Sequence, residues 1–126
     1  MNDQPDGSQR VFKTAWFTKA ADKALIGNEE LCRAIRQVML GQADDLGGGV
    51  WKKRLSRNQY RSLILAKGGR YWVYTYLFAK QDRANIRRDE LMDLRDFAEL
   101  YARKSDRDIP KELALGEIVE ICHGSA

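Results

Sequence analysis

Eleven lysines and arginines stand between Val50 and Arg88 against a single acid, Asp82, so the middle third of this chain carries +10. The residues before it sum to −1 and those after it to −5, leaving +4 overall. Chemistry open to such a segment is the holding of phosphates, with nucleic acid as the first candidate polyanion. A scattered basic run is more often a solvated, solubilising face. Here the charges are dense and alternate with apolar residues, which favours a ligand. In an extended Val50-Trp-Lys-Lys-Arg-Leu-Ser56, Lys52 and Arg54 point one way and Trp51, Lys53 and Leu55 the other. Arg61, near the start of the next apolar run, is placed to join Lys52 and Arg54. After Arg70 the alternation sets Trp72, Tyr74, Tyr76 and Phe78 on one face, with Tyr71, Val73, Thr75 and Leu77 opposite. Such a row can stack on bases or fill a core.

Other chemistries have little to work with. The one histidine, His123, sits in the tail, so no histidine triad or multi-histidine metal site can be built. Cys32 and Cys122 lie far apart without a CxxC partner, which argues against a disulfide framework, a zinc knuckle and thiol chemistry. Gly47-Gly48-Gly49 is followed by neither GK[ST] nor a helix, so it reads as a flexible entry into a strand and not as a phosphate loop. No cofactor or metal is expected. The first ten residues are polar and no apolar run nears the roughly 20 needed to span a bilayer, so a cytoplasmic protein without membrane contact is expected.

The elements that must carry these residues follow from periodicity. The 126 residues, 44% hydrophobic, suit one domain over 1–126, with a polar tail at about 1–9 and an appendage at about 105–126. Residues 11–17 predict a strand, and Thr18 caps a helix to Leu25 that Gly27 ends. Asn28 caps a second helix, whose Leu31, Ala34, Ile35, Val38 and Met39 form one buried stripe up to Gly41. Three strands follow at 50–56, 60–67 and 70–80, the last two joined by a Gly68-Gly69 hairpin turn. Asp89 then caps a helix with Leu91, Leu94, Phe97, Ala98 and Tyr101 on one face. Pro110 opens a short helical turn, and 117–121 is a terminal strand or ordered tail. The order β-α-α-β-β-β-α describes an α+β fold, a small antiparallel sheet with helices on one side and the other side free for a ligand.

Three blocks, Gly48-Gly-Val-Trp-Lys-Lys-Arg54, Tyr60-Arg-Ser-Leu63 and Phe78-Ala-Lys-Gln-Asp-Arg-Ala-Asn-Ile86, resemble in order and spacing those of RelE/HigB-like toxins of bacterial type II toxin–antitoxin modules. The resemblance spans roughly residues 11–101. It implies a compact toxin that cuts mRNA, commonly on the ribosome, and is held inactive by a cognate antitoxin; relatives in the wider superfamily poison DNA gyrase instead. Lys52 and Arg54 match strand positions where ribonuclease members place catalytic cations. Arg61 matches the arginine that binds the scissile phosphate. In the last block the family's arginine and later tyrosine are met by Gln81 and Arg87, and Arg83 is the nearby cation that can substitute.

The expected catalytic set is therefore Lys52, Arg54, Arg61 and Arg83, with Lys53, Arg57, Tyr74, Lys80, Asn85 and Arg87 as RNA contacts. In a metal-independent mechanism the ribose 2′-OH attacks the adjacent phosphate. Arg61 and Arg83 would stabilise the phosphorane, Arg54 would hold the phosphate or help the leaving group, and Lys52, crowded by like charge, would take the proton. The rival readings are a non-catalytic RNA- or ribosome-binding protein and a gyrase inhibitor. The expected partners are RNA and a small helix-turn-helix antitoxin that neutralises the basic face.

Overall fold

Alternating apolar residues in the middle of the chain demand cover on both faces of a sheet, and the fold supplies it. The structure, a computed structural model, describes residues 9–67, 71–103 and 108–122. Its elements are β1 (Arg10–Thr14), α1 (Ala15–Lys23), α2 (Asn28–Met39), β2 (Asp44–Gly47), β3 (Val50–Leu55), β4 (Tyr60–Lys67), β5 (Tyr71–Ala79), α3 (Arg88–Arg103), α4 (Asp108–Ala114) and β6 (Ile118–Ile121). The α+β class holds. The sheet has six strands in the order β2-β3-β4-β5-β1-β6 and is mixed, because β1 runs parallel to β5 while its other pairings are antiparallel. The Gly68-Gly69 turn lies outside the described residues, but the strands it joins pair in register from Tyr60↔Ala79 to Lys67↔Tyr71. No described helix is long and apolar enough to cross a membrane.

The first strand stops three residues early. Thr14, not Thr18, caps α1, its hydroxyl accepting from the Phe17 amide at 3.0 Å. That choice sends Phe17 into the helix, where it is fully buried with Ala21. Gly27 takes the cap position of α2 expected of Asn28; the Asn28 side chain instead accepts from the buried Lys13 ammonium at 2.8 Å. A buried charge without such a partner would be strongly destabilising. The predicted stripe on α2 is buried as Leu31, Ala34, Ile35 and Val38.

Residues of alternate parity build two cores. On one side α1 and α2 cover Val11, Ile64, Trp72 and Tyr74. On the other, Phe12, Val50, Leu65 and Val73 meet Ala98, Leu91 and Leu94 of α3. The open remainder of this second side carries the candidate site.

Three local features differ from the sequence-based expectation. First, Gly47-Gly48-Gly49 is not a flexible entry but the turn between β2 and β3, with all three φ angles positive. A Cβ on Gly48 would lie 2.7 Å from Arg95 Cγ, so the glycine is required by the close approach of α3. Arg95 in turn donates to the Leu46 and Gly47 carbonyls. Secondly, the ladder between β4 and β5 shifts: Leu63 faces Tyr76 while Ile64 faces Tyr74. The extra residue, Thr75, donates its hydroxyl to the Leu63 carbonyl at 2.9 Å. A bulge of this kind reverses the side-chain phase beyond it. Trp72 and Tyr74 therefore stay under the helices, whereas Tyr76 and Phe78 emerge on the other side, and the four do not share a face. Thirdly, Cys32 of α2 and Cys122, just past β6, form a disulfide across 90 residues of sequence. Spacing along the chain was no guide to their distance in space.

Candidate nucleic-acid interface

The ladder itself assembles the cluster. Arg54 on β3 lies directly across from Arg61 on β4, which lies across from Phe78 on β5; one step along, Lys52, Leu63 and Tyr76 form the next row. Lys52, Arg54 and Arg61 thus share one face of two adjacent strands, as the alternation anticipated.

Residues 80–87 between β5 and α3 bring Arg83 over this face. Its guanidinium sits 5.1 Å from the Phe78 ring centre and 5.9 Å from that of Tyr76. Such cation–π contacts hold the group over the sheet. Its Nε donates to the Asn85 carbonyl at 3.1 Å, and its two terminal nitrogens fork onto the Glu90 carboxylate. That fork raises the Arg83 pKa above its ordinary value. Glu90 is held below the usual carboxylate range, first by the Arg83 hydrogen bond and then by the Arg87 amide. The Arg87 amide donates to Glu90 Oε1 at 2.8 Å, so one carboxylate ties both the connection and the start of α3. Asn85 Oδ1 accepts from Lys52 Nζ at 3.3 Å and from the Ile86 amide at 2.9 Å.

Lys52 is also met from the sheet edge. Asp44 on β2 is its register partner, with carboxylate and ammonium 3.8 Å apart. The Lys52 side chain is only 15% exposed. This pairing sets a carboxylate, a natural proton acceptor, beside an ammonium on the basic face.

Arg61 is 8% exposed and turned inward, donating to the carbonyls of Asn58 at 2.9 Å and Tyr60 at 3.3 Å. It secures the turn where Ser56, Arg57 and Asn58 all have positive φ, a conformation costing about 1–2 kcal/mol per non-glycine residue. The Glu30 carboxylate accepts from the Ser56 amide at the same turn. Among the described residues Arg54, Arg57 and Lys80 make no side-chain hydrogen bond or ion pair, and they follow one another around this corner of the sheet. Gln59 and Gln81 line the same corner as Arg57 and Lys80.

Two of the expected RNA contacts are placed elsewhere. Tyr74 is fully buried; its hydroxyl donates to the Leu31 carbonyl at 2.7 Å, its ring packs on Phe17, and burial pushes its phenol far above the ordinary value. No base can reach it, and Tyr76 and Phe78, across the bulge, are the aromatics of β5 on the basic face. Lys53 lies on the helical side with its Nζ on the Gln42 carbonyl at 2.9 Å. Burial, and then the neighbouring Arg54, lower its pKa. Arg87 is exposed, spanning Asp89 at 3.2 Å and Glu90 at 3.7 Å.

Three residues of the site escaped the sequence reading. Asp44 belongs to a strand with almost no strand-forming residues. Glu90, three residues after Arg87, carried the signature of a helix-capping acid, and that signal was available. Trp16, which stacks on Tyr76, lies in the first turn of α1 and not in the strand that its aromatic neighbours predict.

Comparison with known proteins gives a family. No curated protein and no solved structure matches the chain. A family model described as the RelE toxin of the RelE / RelB toxin–antitoxin system matches residues 9–121, from the first strand through the last. A match over nearly the whole chain settles its kinship: the chain belongs to the RelE toxin family.

Proposed function

We propose that this toxin is an endoribonuclease that cuts mRNA, on the ribosome, without a metal ion, and so stops translation. The observation that carries the reading is the convergence of Lys52, Arg54 and Arg61 with Arg83 on one side of the sheet, beside the acceptor Asp44. The RNA supplies its own nucleophile. A ribose 2′-oxygen forms a bond to phosphorus, the bond to the 5′-oxygen breaks, and the products end in a 2′,3′-cyclic phosphate and a 5′-hydroxyl. The Asp44–Lys52 pair takes the 2′-proton and returns a proton to the leaving oxygen. Arg54, a cation without a side-chain partner among the described residues, meets the phosphate and the charge that grows on it, while Arg83 supports that charge from its seat on Phe78. Preorganised donors of this kind are each worth about 3 kcal/mol. Arg61 shapes the adjoining turn so that Arg57 and Lys80 follow the RNA backbone, and Tyr76 offers a ring to a base. A helix-turn-helix antitoxin is the proposed inhibitor.

A second reading has its own support. Lys52, Arg61 and Arg83 are each engaged by a carboxylate or a carbonyl, as in a binding surface whose cations without a side-chain partner among the described residues are Arg54, Arg57 and Lys80. Mapping RNA ends after incubation with ribosomes and message separates the two. New 5′-hydroxyl ends, lost in Arg54→Ala and Lys52→Ala, support cleavage. Salt-sensitive binding without new ends leaves the non-catalytic reading, and intact message with loss of DNA supercoiling would point to gyrase.

A further inference from the structure

On the same side of the sheet as the cations, a groove of about 440 Å3 runs between the start of α1 and the outer flank of α3. Its walls include Trp16, Tyr76, Ile86, Asp93, Leu94 and Phe97. Trp16 stacks on Tyr76 at 4.8 Å, yet Trp16 remains 51% and Phe97 53% exposed. Met92 and Leu100 are also exposed on α3. At 3.6 residues per turn, Phe97 and Leu100 fall on the flank that carries Asp89, Asp93 and Asp96, with Met92 at its edge. Asp93 and Asp96 have no ion-pair partner among the described residues, and the lining includes no lysine or arginine.

Large apolar side chains left in water beside unpaired carboxylates define a surface for a partner of opposite charge. Phosphates would be repelled here, so RNA suits the cationic side and not this groove. We propose that the groove docks a segment of the cognate antitoxin that presents apolar side chains to Trp16 and Phe97 and a lysine or arginine to Asp93. The identity of the occupant rests on membership of a toxin–antitoxin family and not on the ribonuclease reading. Because Tyr76 belongs to both surfaces, a segment seated there abuts the cation cluster and restricts RNA from one end.

The test uses the full chain and the full antitoxin encoded in the same module, titrated by calorimetry at about 50 and about 300 mM salt. Phe97→Ser and Asp93→Lys each weaken binding by about tenfold or more, and Asp93→Lys also flattens the salt dependence. Both retain the wild-type circular dichroism spectrum and RNA cleavage, and a lysine-to-glutamate change in the antitoxin that restores binding to Asp93→Lys fixes the contact. Wild-type affinity in both variants overturns the proposal. So does RNA cross-linking to Trp16, or a self-association of the chain that Phe97→Ser abolishes while antitoxin affinity is kept. Loss of antitoxin affinity in a chain that cuts no RNA upholds the docking surface and defeats only the ribonuclease reading.

Discussion

The two ends of one sheet face have opposite chemistry. At the β3–β4 end cations predominate, with Arg54 and Arg57 exposed and Asp44 at the edge, and apolar side chains are packed beneath them. At the α1–α3 end the exposed groups are aromatic rings and carboxylates, and the described lining holds no cation. Both stand on one face of the same sheet, so the sheet alone does not explain the contrast. It comes from which elements overhang: the connection 80–87 covers one end with Arg83 and Asn85, and α3 flanks the other with Asp93 and Phe97. Tyr76 and Glu90 are the border. A single sheet can in this way offer one surface to a polyanion and another to a protein, the two meeting at Tyr76 and Glu90.

Charge reversal is the strongest way to break the comparison. Arg54→Glu is expected to lower RNA cleavage by about a thousandfold, losing one donor and adding a repulsion, whereas Asp93→Lys leaves it unchanged. Single-turnover rates on message-programmed ribosomes check both. Lys52→Ala is expected to lose about a hundredfold, and Asp44→Asn a comparable amount if the pair transfers the proton.

A smaller effect separates the two tyrosines that the bulge divides. Tyr74→Phe leaves the Leu31 carbonyl without its buried donor and is expected to lower stability by about 1–2 kcal/mol in urea denaturation. Tyr76→Phe, with its ring unchanged, is expected to keep wild-type stability. An equal loss in both would remove the distinction between a core ring and an interface ring.

The mildest test concerns the border. Glu90 has a depressed pKa in the folded chain, so its contribution to stability is present above the ordinary carboxylate pKa and is lost as pH falls through its folded value. Wild type is expected to melt slightly above Glu90→Gln at neutral pH, with the two curves converging in acid. A gap that persists there would mean that the pair with Arg83 does not set the difference.

Much of the fold was legible because strands announce themselves by composition and period. β4 occupies the very residues expected of it, and the buried stripe of α2 was readable at helical spacing. β2 was not, since Asp44-Asp45-Leu-Gly lacks β-branched and aromatic residues and is made a strand only by pairing with β3. The cations of the site were visible because charge at alternate positions survives folding unchanged. Their counterions were not: Asp44 and Glu90 reach the cluster through tertiary geometry. Tyr74 was misplaced for a different reason. A period of two was extended across Thr75, and nothing in the unbroken run Tyr71-Trp-Val-Tyr-Thr-Tyr-Leu-Phe78 marks where the phase changes. The disulfide shows the same limit, since two cysteines 90 residues apart become neighbours only when β6 lies down beside β1.

The offset at Thr75 makes β5 behave as two words run together without a space. A substitution there, to serine or valine, alters one letter and leaves both words readable. Removing the residue would leave both faces as they are, because Tyr76 would then follow Tyr74 directly and still lie across from Leu63; removing a paired residue such as Leu77 would instead drive Phe78 from the basic face to the side under α1 and α2. For this protein, the count of paired residues along one strand carries more information than the identity of the residue that supplies the offset.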